Sequence, residues 1–103
     1  MRKGIIYVCI NLFDGRRYIG KTLQEFSRRK ADHIQEAINK NSELYFHRAL
    51  RKFGIDNFVW SIIESNIVSV VIQITFLEFL HNPFLFPYNE LFLPLGAIIN
   101  LLR

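Results

Sequence analysis

Two strand-forming runs on either side of Asp14-Gly15, the first of them β-branched, constrain this chain more than any other feature. The first, Gly4 to Asn11, carries Ile5, Ile6, Val8 and Ile10, and the second runs from Arg16 to Gly20. Asp-Gly between strand formers predicts a β-hairpin, because both residues tolerate the positive φ of a tight turn. A two-residue turn sets Tyr18 opposite Asn11 and places Tyr7, Cys9, Tyr18 and Gly20 on one face of the hairpin. A three-residue loop would break that parity.

Helical signals follow. Thr22-Leu-Gln-Glu25 is a capping-box pattern and predicts a helix start. Phe26, Ile34, Ala37 and Ile38 supply its apolar stripe, and Arg29 and His33, four apart, share one side. Asn41-Ser42 offers the cap of a second helix, with Phe46, Ala49, Leu50 and Phe53 turned inward and Gly54 as its stop. From Asn57 to Glu64, Phe58, Trp60 and Ile62 alternate with Val59, Ser61 and Ile63, which predicts a third strand. The predicted order is β-β-α-α-β.

The chain changes character near Ser65. Residues 1–65 hold twelve of the 13 Lys and Arg against seven acids, a net charge of +5. Residues 66–103 carry −1 and all three prolines. The division is therefore a core over 1–65 and an atypical hydrophobic segment over 66–103. Ile67 to Leu80, rich in Val and Ile, reads as a strand and is too short for a membrane span of about 20 apolar residues. The prolines beyond Asn82 forbid a long helix there. At 103 residues there is room for one domain. The net charge of +4 suits a polyanionic partner. A single cysteine, Cys9, excludes an intramolecular disulfide, and no Cys/His zinc spacing is present. The apolar run after Met1-Arg2-Lys3 has no small-residue cleavage site, which predicts an intracellular protein.

Gly4-Ile-Ile-Tyr7, ten residues, then Tyr18-Ile19-Gly20-Lys21-Thr22 resembles the paired signature of GIY-YIG endonucleases. Arg29-Lys-Ala-Asp-His33 resembles that family's Arg-x-x-x-His. Phe46 to Gly54 followed by Asn57-Phe58 resembles its next helix and third strand. The resemblance covers roughly Gly4 to Glu64. It implies an α/β (α+β) domain: a small, mainly antiparallel three-stranded sheet flanked by helices. It also implies metal-dependent hydrolysis of DNA phosphodiester bonds.

In that chemistry an attacking water loses a proton and charge builds on phosphorus oxygens and the leaving group. By resemblance, Tyr7 is the general base or positions the water. A phenol with an ordinary pKa of about 10 needs help from a neighbouring cation or metal to do so. Arg29 holds phosphate oxygens, as a planar and permanently charged fork suits. Tyr18 and His33 position water or phosphate, and one Mg²⁺ or Mn²⁺ sits on a single carboxylate. Gly20 is a supporting residue. Lys21, Arg28, Lys30, His47, Arg51 and Lys52 are candidate DNA contacts. Without the family pattern, the Arg28-Arg29-Lys30 run reads as a solvated face and hairpin tyrosines as packing.

The sequence departs from the pattern after Ser65. The family's metal carboxylate lies on a helix with an aromatic residue shortly after it. Glu78 is followed by Phe79 but sits in a β-branched run, with Glu90 as a substitute. Pro87-Tyr88-Asn89 loosely imitates a later Gly-Tyr-Asn element, which makes Asn89 a supporting candidate. Gly96-Ala97-Ile98-Ile99-Asn100 permits a Gly-Tyr-Asn in a neighbouring reading frame, so a shifted frame also accounts for the tail. Two further readings stay open: a catalytically inactive nucleic-acid-binding remnant, and a small membrane-associated protein using Ile67 to Leu102. Target recognition would fall to a partner or a further domain. Viral, organellar and bacterial settings, with intron-homing, repair or mobile-element roles, are all compatible.

Overall fold

A computed structural model of the chain describes residues 3–80 and 86–89. Glu90 and the Gly96 to Asn100 stretch lie outside these described residues.

Three antiparallel strands form one sheet in the order β2-β1-β3, where β1 is Lys3–Asn11, β2 is Arg17–Thr22 and β3 is Phe58–Val68. Helix α1 spans Phe26–Ile38, α2 spans Tyr45–Phe53 and α3 spans Ile72–Phe79. The chain is thus an α+β fold with three strands and three helices among its described residues.

β1 is the central strand, covered on both faces, and this explains its almost continuous apolar composition. Cys9 looks toward α1 and α2, where it packs with Ala37, Phe46, Ala49, Leu50, Phe58 and Tyr88. Ile6 and Val8 look the other way, packing with Ile19, Ile67 and Ile72, with Phe76 and Phe79 of α3 against them.

The hairpin forms, but its register differs from that of a two-residue turn. Five residues link the strands, and Tyr18 pairs with Cys9 while Gly20 pairs with Tyr7. The Asn11 carboxamide oxygen accepts from the Phe13 N–H, Gly15 N–H donates to the Asn11 carbonyl, and Gly15 sits at φ 76°. These side-chain turns lengthen the loop by local hydrogen bonding. The shift is even-numbered, so Tyr7, Cys9, Tyr18 and Gly20 still share one face.

The helix starts also move. α1 begins at Phe26 with Glu25 at its N-cap and no side-chain cap, because Thr22 Oγ1 accepts from Gln24 N–H instead of capping the helix. Ser42 Oγ accepts from Leu44 N–H just ahead of α2. Gly54, at φ 89°, ends α2 as expected.

The largest departure is the expected strand over Ile67 to Leu80. β3 runs on to Val68, past the compositional boundary, and the rest turns into α3. Ile72, Phe76, Phe79 and Leu80 are its sheet-facing residues, a helical spacing of four, three and one. That period is hard to see in sequence because β-branched Ile74 and Thr75 and the exposed Leu77 lie between them.

Candidate active site

Tyr7 and Gly20 bring the sheet to the site, and α1 brings Arg29 and His33. Phe26, Arg29, His33 and Ala37 recur at three or four residues along α1, and so face the sheet together. Tyr7, 1% exposed, is ringed by Tyr18, Phe26, His33 and Trp60, with ring centroids 5.6 to 6.3 Å away. Tyr18 stacks on Phe46 at 4.1 Å with nearly parallel planes, which ties it to α2.

A hydrogen-bond chain runs inward from the Tyr7 hydroxyl. Tyr7 Oη lies 2.7 Å from His33 Nε2, and His33 Nδ1 lies 2.8 Å from His47 Nε2. His47 Nδ1 then lies 2.7 Å from Ser42 Oγ. In one polarity the hydroxyl of Tyr7 donates to His33, His33 to His47 and His47 to Ser42. The reversed polarity satisfies the same atoms.

The electrostatics follow from burial. Burial lowers the His33 pKa to about 3, and Arg29 and His47 push the same way. The ring is therefore neutral at physiological pH. Burial pushes the Tyr7 phenol well above its usual range; Tyr18 adds to this, and the Arg29 guanidinium opposes it only in part. Tyr18 is raised by burial as well. For Arg29, burial works against the charge, but Tyr7, Tyr18 and Glu36 outweigh it and raise its pKa further. The site thus holds two neutral phenols, a neutral imidazole and one fixed cation.

The structure brings Tyr7, Tyr18, Arg29 and His33 together and distributes the other candidates. Gly20 leaves the space that the Tyr7 ring fills. Asn89 clasps β2, accepting from Ile19 N–H at 2.7 Å and donating to the Ile19 carbonyl at 2.6 Å. Glu78 is exposed on α3. Lys21 is exposed with its ammonium over Phe76, Lys30 lies over Trp60, and Arg28 is exposed. Lys52 is exposed over Phe53. Two candidates for DNA contact are engaged inside the protein instead. His47 is 0% exposed, so its side chain cannot reach nucleic acid in this conformation. Arg51 donates to the carbonyls of Ala37 and Ser42 and fixes the α1–α2 connection.

Other residues went unnoticed in the sequence. Ser42 and Glu36 join the His33–His47 pair, and Tyr88, 2% exposed, accepts from Asn11 Nδ2 beneath the hairpin loop. Their partners are 5 to 77 residues away, so no local spacing marks them. The ligand atoms of His33, Glu36 and His47 all lie within 4.8 Å of one another. Beside α2, Arg16, Arg48, Arg51 and Lys52 line a cleft of about 600 Å³ together with Tyr45 and Phe53.

No known protein-family model matches the chain. It is 37% identical over 101 residues to protein 146R of Invertebrate iridescent virus 6, to which an MSV199 domain has been ascribed. That alignment takes in 98% of this chain, and so continues past Ser65, but only 40% of the viral protein. Over 62 residues, 60% of the chain, it is 36% identical to the probable intron-encoded endonuclease 1 of Neurospora crassa, of which it spans 19%. No described helix is long and apolar enough to cross a membrane. Among solved structures, the catalytic domain of the homing endonuclease I-TevI superposes with a TM-score of 0.64 at 21% identity, over 76% of this chain and 85% of that one. A mutant of the same domain gives 0.66, over 77% and 81%. The chain therefore has the fold of the catalytic domain of I-TevI, a GIY-YIG homing endonuclease.

Proposed function

We propose that the chain is a GIY-YIG-type endonuclease domain that hydrolyses DNA phosphodiester bonds with one Mg²⁺ or Mn²⁺. The observation that carries this reading is the Tyr7–His33 hydrogen bond beside Arg29 on the sheet face that the hairpin signature predicts. The two endonuclease neighbours support it, and a viral relative favours a viral setting. The chain spans well under half of each curated relative, so target recognition is assigned to other parts of such proteins.

Tyr7 cannot work as a standing phenolate, since burial holds it protonated. His33 resolves this. Its neutral Nε2 can accept the phenol proton as the Tyr7 oxygen takes one from the attacking water, which must be admitted through the ring of Tyr18, Phe26 and Trp60 because Tyr7 is buried. His33 can release its Nδ1 proton to His47, and His47 its own to Ser42, whose partly exposed hydroxyl passes its proton on to solvent, so no ring need stay cationic. Arg29, held charged, offers its fork to the non-bridging phosphate oxygens. Tyr18 positions the same phosphate or water through its hydroxyl.

The donor chemistry at Glu78 fits a hard cation: an exposed carboxylate on a helix packed against the sheet, with room for retained waters. Glu78 would hold the ion on α3, which packs on the sheet face opposite Tyr7 and meets the site only around the β2 edge, where Phe76 and Leu80 share a cleft with Tyr18. When bound, the ion would offset charge on a phosphate held at that edge.

Nicking of supercoiled plasmid by the purified chain tests this. Cleavage is expected with Mg²⁺ and not with EDTA, and is lost in Tyr7→Phe and Arg29→Ala with unchanged circular dichroism. Cleavage unaffected in both variants would overturn the site. Plasmid binding without cleavage by the wild type would make the chain a binding remnant.

A further inference from the structure

The inner end of the hydrogen-bond chain is a three-donor cage. His33 and Glu36 stand one turn apart on α1, and His47 faces them from α2. His33 Nδ1 and His47 Nε2 are two basic nitrogens 2.8 Å apart with one proton between them. Glu36 Oε2 stands 3.8 Å from the same His47 nitrogen. The outward nitrogens of both rings are held by oxygens, Tyr7 Oη and Ser42 Oγ, each at 2.7 Å. Metal-bound imidazoles are oriented this way, with the other N–H donated to an oxygen that fixes tautomer and ring plane.

We propose that His33, Glu36 and His47 form a site for one borderline transition-metal ion, Zn²⁺ by donor class, separate from the hard-cation site at Glu78. Two imidazoles, one carboxylate and an open fourth position make a zinc-type donor set. Bonds of about 2.0–2.1 Å in a tetrahedron set ligand atoms about 3.3 Å apart. The two nitrogens must therefore open slightly and Glu36 swing inward. Both rings are almost fully buried, whereas the Glu36 side chain is 35% exposed and offers the way in. Arg29, one turn before His33, is the cation facing the cage, and the Glu36 carboxylate offsets it. The dry surroundings and the nitrogen donors disfavour Mg²⁺, which keeps its waters.

The ion would take the place of the shared proton. His33 Nδ1 would then be a ligand, and the ring's proton would sit on Nε2 and point at Tyr7. Tyr7 would lose its proton acceptor, so occupancy would shut the relay. This consequence rests on the nuclease reading; the site itself does not.

Co²⁺ is the probe, titrated into the full chain freed of metal. One equivalent is expected to give the visible d–d absorption of a four-coordinate ion, displaced by Zn²⁺ and unaffected by excess Mg²⁺. No thiolate charge-transfer band is expected. Glu36→Gln and His47→Asn should each weaken Co²⁺ binding by about tenfold or more. Glu36→Gln should also keep wild-type circular dichroism and, whatever its own rate of cleavage in Mg²⁺, lose none of that rate on addition of one equivalent of Zn²⁺. Absence of Co²⁺ absorption, a thiolate band, or binding unchanged in Glu36→Gln would overturn the site. Equal Zn²⁺ inhibition of Glu36→Gln and wild type would overturn its link to Tyr7. A chain that binds Co²⁺ as described but never cleaves would sink the nuclease reading alone.

Discussion

Tyr7 pairs with Gly20 across the β1–β2 ladder, and the phenol ring and hydroxyl occupy the space where a side chain on Gly20 would begin. The glycine is needed for what it lacks. A methyl group there overlaps the ring of Tyr7, which is packed on its other sides by Phe26, His33 and Trp60. Gly20→Ala is expected to destabilise the fold by about 1–3 kcal/mol, the usual cost of overpacking, and to depress cleavage by displacing Tyr7. Urea melts read the first effect and plasmid nicking the second. A variant with both unchanged would show that the ring lies elsewhere.

Removing only the hydroxyl separates chemistry from packing. Tyr7→Phe keeps the ring and strips His33 Nε2 of its partner, at a stability cost of about 1 kcal/mol. Cleavage should fall by about 100-fold or more, as the loss of a proton-transfer group does. Arg29→Ala should cost about 10²–10³ in rate by removing charge stabilisation at the phosphate. Single-turnover rates in Mg²⁺ check both.

Stability should depend on acid through His33. Its folded pKa of about 3 lies below the ordinary value of 6.5, so the unfolded chain binds the proton more readily. Above pH 7 both states are neutral and the contribution is constant. As pH falls below 6.5 the native state loses ground, on the order of 3 kcal/mol by pH 4. His33→Gln should flatten this part of the stability curve, measured by urea melts from pH 7 to pH 4. A parallel slope in the variant would reject His33 as its source.

Phe46 links the core to the site, since it is 2% exposed and stacks on Tyr18. Phe46→Ala should cost about 3–5 kcal/mol, as a large cavity in a core does. Phe46→Leu should cost less but still free Tyr18, so cleavage should fall more than stability. Thermal melts and rates measured on the same samples test that split.

The basic cleft beside α2 contains cations of two kinds. Arg48 and Lys52 are exposed, whereas Arg51 is bonded to two backbone carbonyls. Arg48→Ala and Lys52→Ala should each weaken DNA binding regardless of sequence and lower the salt slope by about 0.9 per lost phosphate contact. Arg51→Ala should instead lower the melting temperature. Fluorescence anisotropy across a salt series separates the two.

The local pattern of the chain was enough to specify the hairpin, the shared face of Tyr7, Tyr18 and Gly20, the inward stripe of α2, and the Arg29–His33 spacing. Each depends on backbone periodicity, which acts over a few residues. It could not specify the five-residue loop, because Asn11 and Asp14 side chains compete for turn hydrogen bonds. Nor could it tell strand from helix over Ile72–Phe79, where β-branched residues favour one and the sheet surface beneath rewards the other.

Tertiary structure alone decided what each side chain meets. It turned His47 inward against His33, placed Ser42 and Glu36 beside them, and clasped Asn89 onto β2 from 70 residues away. Burial then set the chemistry, because the same phenol and imidazole that titrate normally in water are both held neutral here by desolvation. Residue types and spacing named Tyr7 and His33 as candidates; the packing of α1 and α2 over the sheet made them a hydrogen-bonded pair.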